Sequence, residues 1–353
     1  MGKIYSLQIL RAIAALCVVI SHIWGVNGKI GEPLGFAYFG AYGVDIFFVI
    51  SGFIMCYSIK DIFDNPFHQA IGFISKRILR IYPSYLIIAS PVILYFIYST
   101  LKSGGAVSLY MIIGNFLLLP TFNGDPAYHM YFYVAWSLCY EMMFYLLFAL
   151  IMVFCRNRTQ LIAAMVTVLI GLVAVVHTFR IQGDMLGWVN IRYMVGDSLI
   201  VNFAMGCIAF VIYRTFNNIS FRPLTSFLLV ASLFCMGIIN AQHQADRLFC
   251  FGLPAFLIVL IVLYTKFDEN HDRKKITQLG IYLGNASYSI YLLHLYIVFI
   301  MPEIYKIVPF NKDFTGAIMS VVAVLIGCAF YSAIEKPLNR FIHQKNFKKL
   351  IVA

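Results

Sequence analysis

The stretch IYSLQILRAIAALCVVISHIWGV, at residues 4–26, decides the fold of this chain. It is almost wholly apolar and long enough to cross a bilayer as one helix, which takes about 20 residues. It nevertheless contains Arg11 and His22, eleven residues apart. At about 100° per residue the two side chains share one helix face, and at about 1.5 Å per residue they lie roughly 16 Å apart along the axis. Charged side chains inside hydrocarbon usually face a bundle interior or a wet cavity, so we predict that this face is functional.

The composition of the whole chain fits a membrane protein. Of its 353 residues, 61% are hydrophobic and only 12% are charged, with a mean hydropathy of +0.85, whereas a soluble domain has about 25% charged residues. We therefore predict an all-α, polytopic integral membrane bundle. The net charge of +11 is spread over short loops, which is typical of cytoplasmic loops and argues against nucleic acid as a partner. Cysteines and histidines show no ligand spacing, so no metal is expected.

Ten apolar segments are long enough to span the membrane. They are 4–26, 39–58, 83–101, 131–154, 159–178, 197–214, 220–239, 248–265, 281–300 and 314–334. The run 106–120 is shorter, and we predict that it is re-entrant or interfacial. With ten spans, most Lys and Arg fall in inner loops if both termini are cytoplasmic, which is the orientation we predict. A single transmembrane domain is expected over 1–340, followed by a short basic cytoplasmic tail at 341–353.

Four ionisable residues inside the spans are candidates for one site. His22 lies near the outer end of the first span, and Asp45, Glu141 and His294 lie at depths that would let all four converge in the outer half of a bundle. Depth does not define which way each helix faces. Each residue also has a plainer explanation, since buried polar groups can serve only to fix helix register.

A polar stripe runs along the ninth span. Ser287, Tyr291 and His294 share one helix face there, because residues three, four and seven apart are neighbours on a helix surface. They either contact a substrate or form a hydrogen-bonded structural seam.

A basic group precedes the third span. Arg77 and Arg80 lie three residues apart, beside Lys76 and before Pro83, which is predicted to open that span. Adjacent guanidiniums suit a ligand with several phosphates. Basic residues here are also ordinary membrane anchors, and the sequence leaves both explanations open.

Taken in order, these motifs resemble the membrane acyltransferase-3 family, and within it the exopolysaccharide and O-antigen acetyltransferases. The matching stretches are LQILRAIAALCVVISH (7–22), GVDIFFVISGF (43–53), the R-x-x-R of 77–80, WSLCYEMMFYLLFAL (136–150), ASYSIYLLH (286–294) and EKP (335–337). The chain departs from many relatives where they read L-D-G-L-R-A, because the neighbourhood of Arg11 holds Gln8 instead of an acid. The hydrolase-like C-terminal domain of larger members is not expected here.

The resemblance implies an acyltransferase of the bacterial inner membrane that moves an acetyl group from cytoplasmic acetyl-CoA to a hydroxyl of a cell-surface or lipid-linked glycan. The residues implied or suggested fall into three groups by role. The catalytic candidates are His22, Arg11, Glu141 and Asp45, the donor-binding candidates are Arg77, Arg80 and Lys76, and the residues that contact substrate or hold the structure are His294, Ser287, Tyr291 and Trp136.

Two alternatives remain open from the sequence. His22 could act as a general base toward a sugar hydroxyl or as a nucleophile that carries the acetyl group, with Asp45 or Glu141 orienting its ring. The competing class is a transporter or flippase for a glycan or small acid, in which buried charges form a proton relay. The absence of a repeated half in the sequence counts against that class.

Overall fold

The computed structural model describes residues 4–25, 29–122, 128–266, 275–308 and 311–344. In these residues the chain is helical almost throughout, and pairing of extended backbone is limited to isolated bridges. The helices are α1 (Tyr5–Ile23), α2 (Phe36–Tyr57), α3 (Pro66–Lys102), α4 (Leu109–Leu117), α5 (Trp136–Val153), α6 (Arg158–Thr178), α7 (Ile191–Met194), α8 (Ser198–Thr215), α9 (Pro223–Gln242), α10 (Leu253–Leu263), α11 (Lys275–Ile307), α12 (Lys312–Phe330) and α13 (Lys336–Gln344). Short π-helical turns, Leu248–Gly252 and Tyr331–Glu335, precede α10 and α13. The predicted all-α fold is confirmed.

Nine helices in the described part of the chain are long and apolar enough to cross a membrane, and Leu248–Leu263 is a shorter apolar helix. Together they match the ten predicted spans, so the chain is a multi-pass membrane protein. The third span differs from the prediction, because α3 begins at Pro66 and contains both Pro83 and Pro91. Pro83 therefore does not open a helix. Proline is tolerated inside membrane helices, where neighbouring groups satisfy the freed carbonyl.

The chain forms two compact units. The first comprises Met1–Ser58 and Val201–Ala333, and the second comprises Ile59–Ile200 and Ile334–Ala353. The expected single domain over 1–340 stays a prediction, and of the predicted basic tail, residues 345–353 lie outside the described residues.

In the first unit, α1 packs along α2, α11 and α12. The contact with α11 is close, because a methyl group added at Gly284 would overlap the backbone carbonyl of Gln8. Small residues at helix crossings allow this approach in membrane bundles. The same stretch of the first unit has a buried apolar cluster, formed by Ala15, Val19, Ile23, Ala286, Ile290, Ile297, Met301 and Ala323.

Helix directions in the first unit agree with the ten-span count. Gly284 of α11 meets Gln8, and His294 meets His22 further along both helices, so α1 and α11 run in the same direction. If α4 does not cross, α11 is the ninth crossing helix and shares the direction of the first. If α4 crossed, α11 would be the tenth and would run the opposite way.

The segment predicted as re-entrant or interfacial contains the nine-residue α4. Carbonyl groups at a helix end have no partner inside the helix, and here tyrosine hydroxyls supply one. Hydroxyls of the second unit donate to carbonyls of residues 115–120: Tyr85 to Asn115 at 2.6 Å, Tyr82 to Leu117 at 2.7 Å, Tyr110 to Pro120 at 2.5 Å, and Tyr128 to Leu119. Backbone polar groups in an apolar layer must be satisfied by protein, and these bonds meet that need without a complete crossing.

Candidate active site

A pair of histidines forms the centre of the first unit's polar groups. His22 lies in the last turn of α1, and His294 lies in the middle of α11, fully buried. Nδ1 of His22 and Nε2 of His294 are 2.9 Å apart, and the ring planes are inclined by only 23°. This is an in-line hydrogen bond between two imidazoles, so the structure brings together two residues that sequence analysis assigned to separate roles.

The hydrogen bond between the two rings can form with either histidine as the donor. Two neutral imidazoles can bond only if one nitrogen donates and the other accepts. Nδ1 of His294 is buried and has no hydrogen-bond partner in the described part of the chain. Two arrangements are therefore possible, and in one of them Nδ1 of His22 donates to Nε2 of His294.

This arrangement leaves the lone pair on Nε2 of His22. Gly40 of α2 lies beside that nitrogen, since a methyl group added at Gly40 would sit 3.9 Å from it. The ring of His22 is only partly buried, in contrast to that of His294. His22 can therefore accept a proton or attack an electrophile at Nε2, while His294 holds the ring in place.

Arg11 lies on the same helix as His22, as predicted. Its Nη1 donates to the side-chain oxygen of Gln8 at a distance of 3.4 Å. Gln8, which stands near the position where many relatives have an acid, is thus a neutral hydrogen-bond partner of the Arg11 guanidinium. A role of Arg11 in the reaction stays a prediction.

Asp45 is fully buried in α2, where its carboxylate has two strong partners. Nη2 of Arg247 lies 2.6 Å from Oδ2, and the amide of Asn202 donates to Oδ1 at 2.6 Å. The carboxylate of Asp45 therefore pairs with the guanidinium of Arg247. Nδ1 of His22, which Asp45 was suggested to orient, is instead hydrogen-bonded to His294. Arg247 was not among the predicted residues, although a buried acid in an apolar span requires a cation nearby.

In the second unit, Arg77 and Glu141 belong to one cluster around Tyr145. The guanidinium carbon of Arg77 lies 5.2 Å from the ring centre of Phe73 and 5.3 Å from that of Tyr145. The hydroxyl of Tyr145 donates to Glu141. Arg77 is buried, with only 8% of its surface exposed, and the contact with aromatic faces stabilises its charge there.

Lys76 and Arg80 are the exposed basic residues of this part of α3. They are four residues apart, so they lie on the same helix face. Arg77, one position further along than Lys76, points into the protein. The structure thus favours Lys76 and Arg80 over the predicted pair Arg77 and Arg80 as the outward-facing basic pair.

The remaining candidates lie in both units. In the first, Ser287 is fully buried and its hydroxyl has no hydrogen-bond partner in the described part of the chain. The Tyr291 ring lies 5.9 Å from that of His294. In the second unit, Trp136 begins α5, and its ring stacks on Trp188 with centres 5.1 Å apart. Trp188 was not among the predicted residues.

In the described ranges, no three His, Cys, Asp or Glu side chains lie close enough together to hold a metal ion. The expectation that no metal takes part stays a prediction.

A family comparison assigns the class of the protein. The model of the acyltransferase domain matches residues 4–333. The chain therefore belongs to the acyltransferase-3 family, and it is an acyltransferase.

Several proteins are similar to this chain along most of its length. ExoZ, an exopolysaccharide production protein of Rhizobium meliloti, is 27% identical over 306 residues, which are 85% of this chain and 90% of ExoZ. The O-acetyltransferase OatA of Staphylococcus aureus is 25% identical over 374 aligned residues, covering 96% of this chain and 57% of OatA. A protein of Acidianus two-tailed virus is 26% identical over 348 residues, covering 96% of this chain and 92% of its own. No solved structure matched the chain.

Proposed function

We propose that this acyltransferase moves an acetyl group from acetyl-CoA to a hydroxyl of a cell-surface or lipid-linked glycan, in the inner membrane of a bacterium. The observation that carries the proposal is the hydrogen bond between Nδ1 of His22 and Nε2 of His294, which leaves Nε2 of His22 as the ring nitrogen outside that bond. The names of ExoZ and OatA support exopolysaccharide-type acceptors and O-acetyl transfer. Both termini are proposed to be cytoplasmic.

His22 serves this reaction by moving one proton. Its Nε2 takes the proton of the sugar hydroxyl while that oxygen attacks the thioester carbonyl carbon. The carbon–sulfur bond then breaks, and the imidazolium returns the proton to the leaving thiolate, which gives free CoA and an O-acetyl sugar. Throughout, Nδ1–H of His22 stays bonded to His294, which fixes the orientation of the ring.

The nucleophilic route uses the same geometry. Nε2 attacks the thioester, CoA leaves as the thiolate, and the acetyl group remains on the imidazole. Nε2 of His294 can accept the Nδ1 proton of His22 at this stage, which neutralises the acetyl-imidazolium. The sugar oxygen then attacks the acetyl carbon and the carbon–nitrogen bond breaks, while His294 returns its proton to Nδ1 of His22. The proton of the sugar hydroxyl passes to the CoA thiolate, which gives free CoA and an O-acetyl sugar.

Acetyl-CoA is proposed to bind at α3. Lys76 and Arg80 present an ammonium and a guanidinium on one exposed face, which suits the phosphates of acetyl-CoA. Arg77 holds this part of α3 through the rings of Phe73 and Tyr145.

The test of the function uses purified protein in lipid nanodiscs with acetyl-CoA labelled in the acetyl group. The acceptor is the extracellular polysaccharide of the producing cells, O-deacetylated with mild alkali. We expect free CoA and label in the polysaccharide in equal amounts. A transporter or flippase would release no CoA, and that result would overturn the proposal.

Replacing Arg80 with alanine is expected to raise the KM for acetyl-CoA about tenfold, which corresponds to about 1.4 kcal/mol, with little change in kcat. The reason is the loss of one charge-assisted contact to a phosphate. Initial rates of CoA release at varied acetyl-CoA measure this. Lys102→Ala removes an exposed basic residue at the other end of the same helix, and it should leave this KM unchanged. Equal KM values for Arg80→Ala and the wild type would contradict donor binding at this face.

A further inference from the structure

An aromatic cluster in the second unit has a geometry that transfer of an acetyl group does not explain. Trp136, which is nearly buried, stacks on Trp188 with ring centres 5.1 Å apart and planes inclined by 30°. Tyr193 meets Trp188 edge-on, at 5.8 Å and 90°. The Trp188 side chain is only partly buried. One indole is thus fixed beneath a second indole that reaches the surface.

The backbone that carries Trp188 is strained. Leu186, Gly187 and Trp188 have φ values of +40°, +59° and +70° in succession. Non-glycine residues rarely adopt this region, and such strain persists only where the surrounding structure imposes it. Strained residues of this kind cluster at ligand-binding and active sites.

Bracing on both sides holds this loop in its strained form. The buried Asn190 donates to the carbonyl of Asp184 at 2.8 Å and accepts from the backbone of Arg192 at 3.1 Å. The backbone of Thr121 donates to Val189 at 2.8 Å and accepts from Ile191 at 3.0 Å. The two arms of the loop are therefore tied to each other and to the segment after α4.

Exposed charged side chains lie on the same loop as the Trp188 indole. Asp184 and Arg192, one on each arm of the loop, are exposed. An aromatic ring on a loop that also carries a carboxylate and a guanidinium can offer stacking together with hydrogen bonds to hydroxyl groups, the combination of apolar surface and a few polar groups that ligand sites use. A simple membrane-interface tryptophan requires neither backbone strain nor a buried brace.

We propose that Trp188, supported by Trp136, forms a platform on which a sugar ring of the glycan stacks, with Asp184 and Arg192 bonding to its hydroxyls. The C–H groups on one face of a pyranose carry a slight positive charge and suit the negative face of an indole. The identity of the ligand rests on the proposed function. Because a polysaccharide has many sugars, the ring bound here need not be the one that is acetylated.

The experiment compares Trp188→Ala, Trp188→Phe and Phe179→Ala in nanodiscs, with the O-deacetylated polysaccharide as the varied substrate. We expect Trp188→Ala to raise the KM for polysaccharide about tenfold while kcat and the KM for acetyl-CoA stay near wild type. Trp188→Phe retains a ring and should recover most of the affinity. Phe179, exposed at the end of α6, is the matched surface aromatic, and its loss should change nothing. An unchanged KM for Trp188→Ala, or an equal rise for Phe179→Ala, would show an interfacial anchor and overturn the platform.

A binding measurement without acetyl-CoA separates this proposal from the proposed function. Titration with polysaccharide should quench tryptophan fluorescence of the wild type saturably, and Trp188→Phe should lose most of that quenching. The same comparison decides the matter if Trp188→Ala does not fold. Quenching that is absent in the wild type or unchanged in Trp188→Phe refutes the platform, even where acetyl transfer is observed. Binding without any acetyl transfer leaves the platform standing and refutes the enzyme reaction instead.

Discussion

Replacing His22 with alanine is expected to lower kcat for acetyl transfer by about 10²- to 10⁴-fold, the usual contribution of a positioned general base. Alanine removes the nitrogen that takes the sugar proton or attacks the thioester. CoA release and polysaccharide labelling in nanodiscs measure the loss. His243→Ala changes an exposed histidine at the end of α9 and should retain wild-type rates. Near wild-type transfer by well-folded His22→Ala would remove this residue from the mechanism.

The partner of His22 gives a graded result in the same assay. His294→Leu removes the acceptor of the Nδ1 proton, so we expect a loss of about 10- to 100-fold in kcat, smaller than that of His22→Ala. His294→Gln supplies a carbonyl oxygen to the same proton and should recover part of the rate. A purely structural role for His294 would give no such recovery at equal protein stability.

Labelled acetyl-CoA without acceptor distinguishes the two chemical routes. The nucleophilic route should leave label on the wild-type chain and none on His22→Ala, whereas the general-base route leaves label on neither.

Replacing Gly284 with alanine is expected to destabilise the first unit by about 1–3 kcal/mol, the usual cost of overpacking. The added methyl group would overlap the backbone carbonyl of Gln8, which cannot rotate away as a side chain can. The α1–α11 contact that also joins the two histidines must then open. Thermal inactivation in detergent should occur several degrees below the wild type, with activity falling at lower temperature.

A matched glycine in an open position should respond in the opposite direction. An added methyl group at Gly171, inside α6, meets nothing within 4 Å, so Gly171→Ala gains helix propensity of up to about 1 kcal/mol. We expect Gly171→Ala to be inactivated at or above the wild-type temperature and Gly284→Ala below it. That difference would identify the contact between α1 and α11 as the cause of the lower stability of Gly284→Ala. Equal behaviour of both variants would contradict it.

The helices could be predicted because apolar length is a one-dimensional property. A span needs about 20 apolar residues, and nine helices of the described part of the chain show a length near this, with Leu248–Leu263 shorter. The prediction that Pro83 opens the third span is wrong, because α3 begins at Pro66 and continues through Pro83. Proline is tolerated inside helices in the membrane. The short α4 was recognisable from its length.

The site could be predicted only in part. The depth of a residue along a span follows from the sequence, but the neighbour that each helix face contacts depends on how the helices pack. Arg11 and His22 share a helix, so their common face followed from helix geometry alone. The bond between His22 and His294 joins residues 272 positions apart, and no local pattern contains it. The pairing of Asp45 with Arg247 could not be predicted for the same reason, since Arg247 lies 202 positions further along the chain, and the role of Asp45 stays a prediction.

The tyrosine hydroxyls that bond to the carbonyls at the end of α4 bear on how the length of this segment can vary. A complete extra crossing would invert every helix after it, whereas a half-length segment enters and leaves on one side. The terminal carbonyls of α4 are satisfied by side chains of the same unit, so, if the segment is re-entrant as predicted, a change in its length would leave the directions of the later helices unchanged.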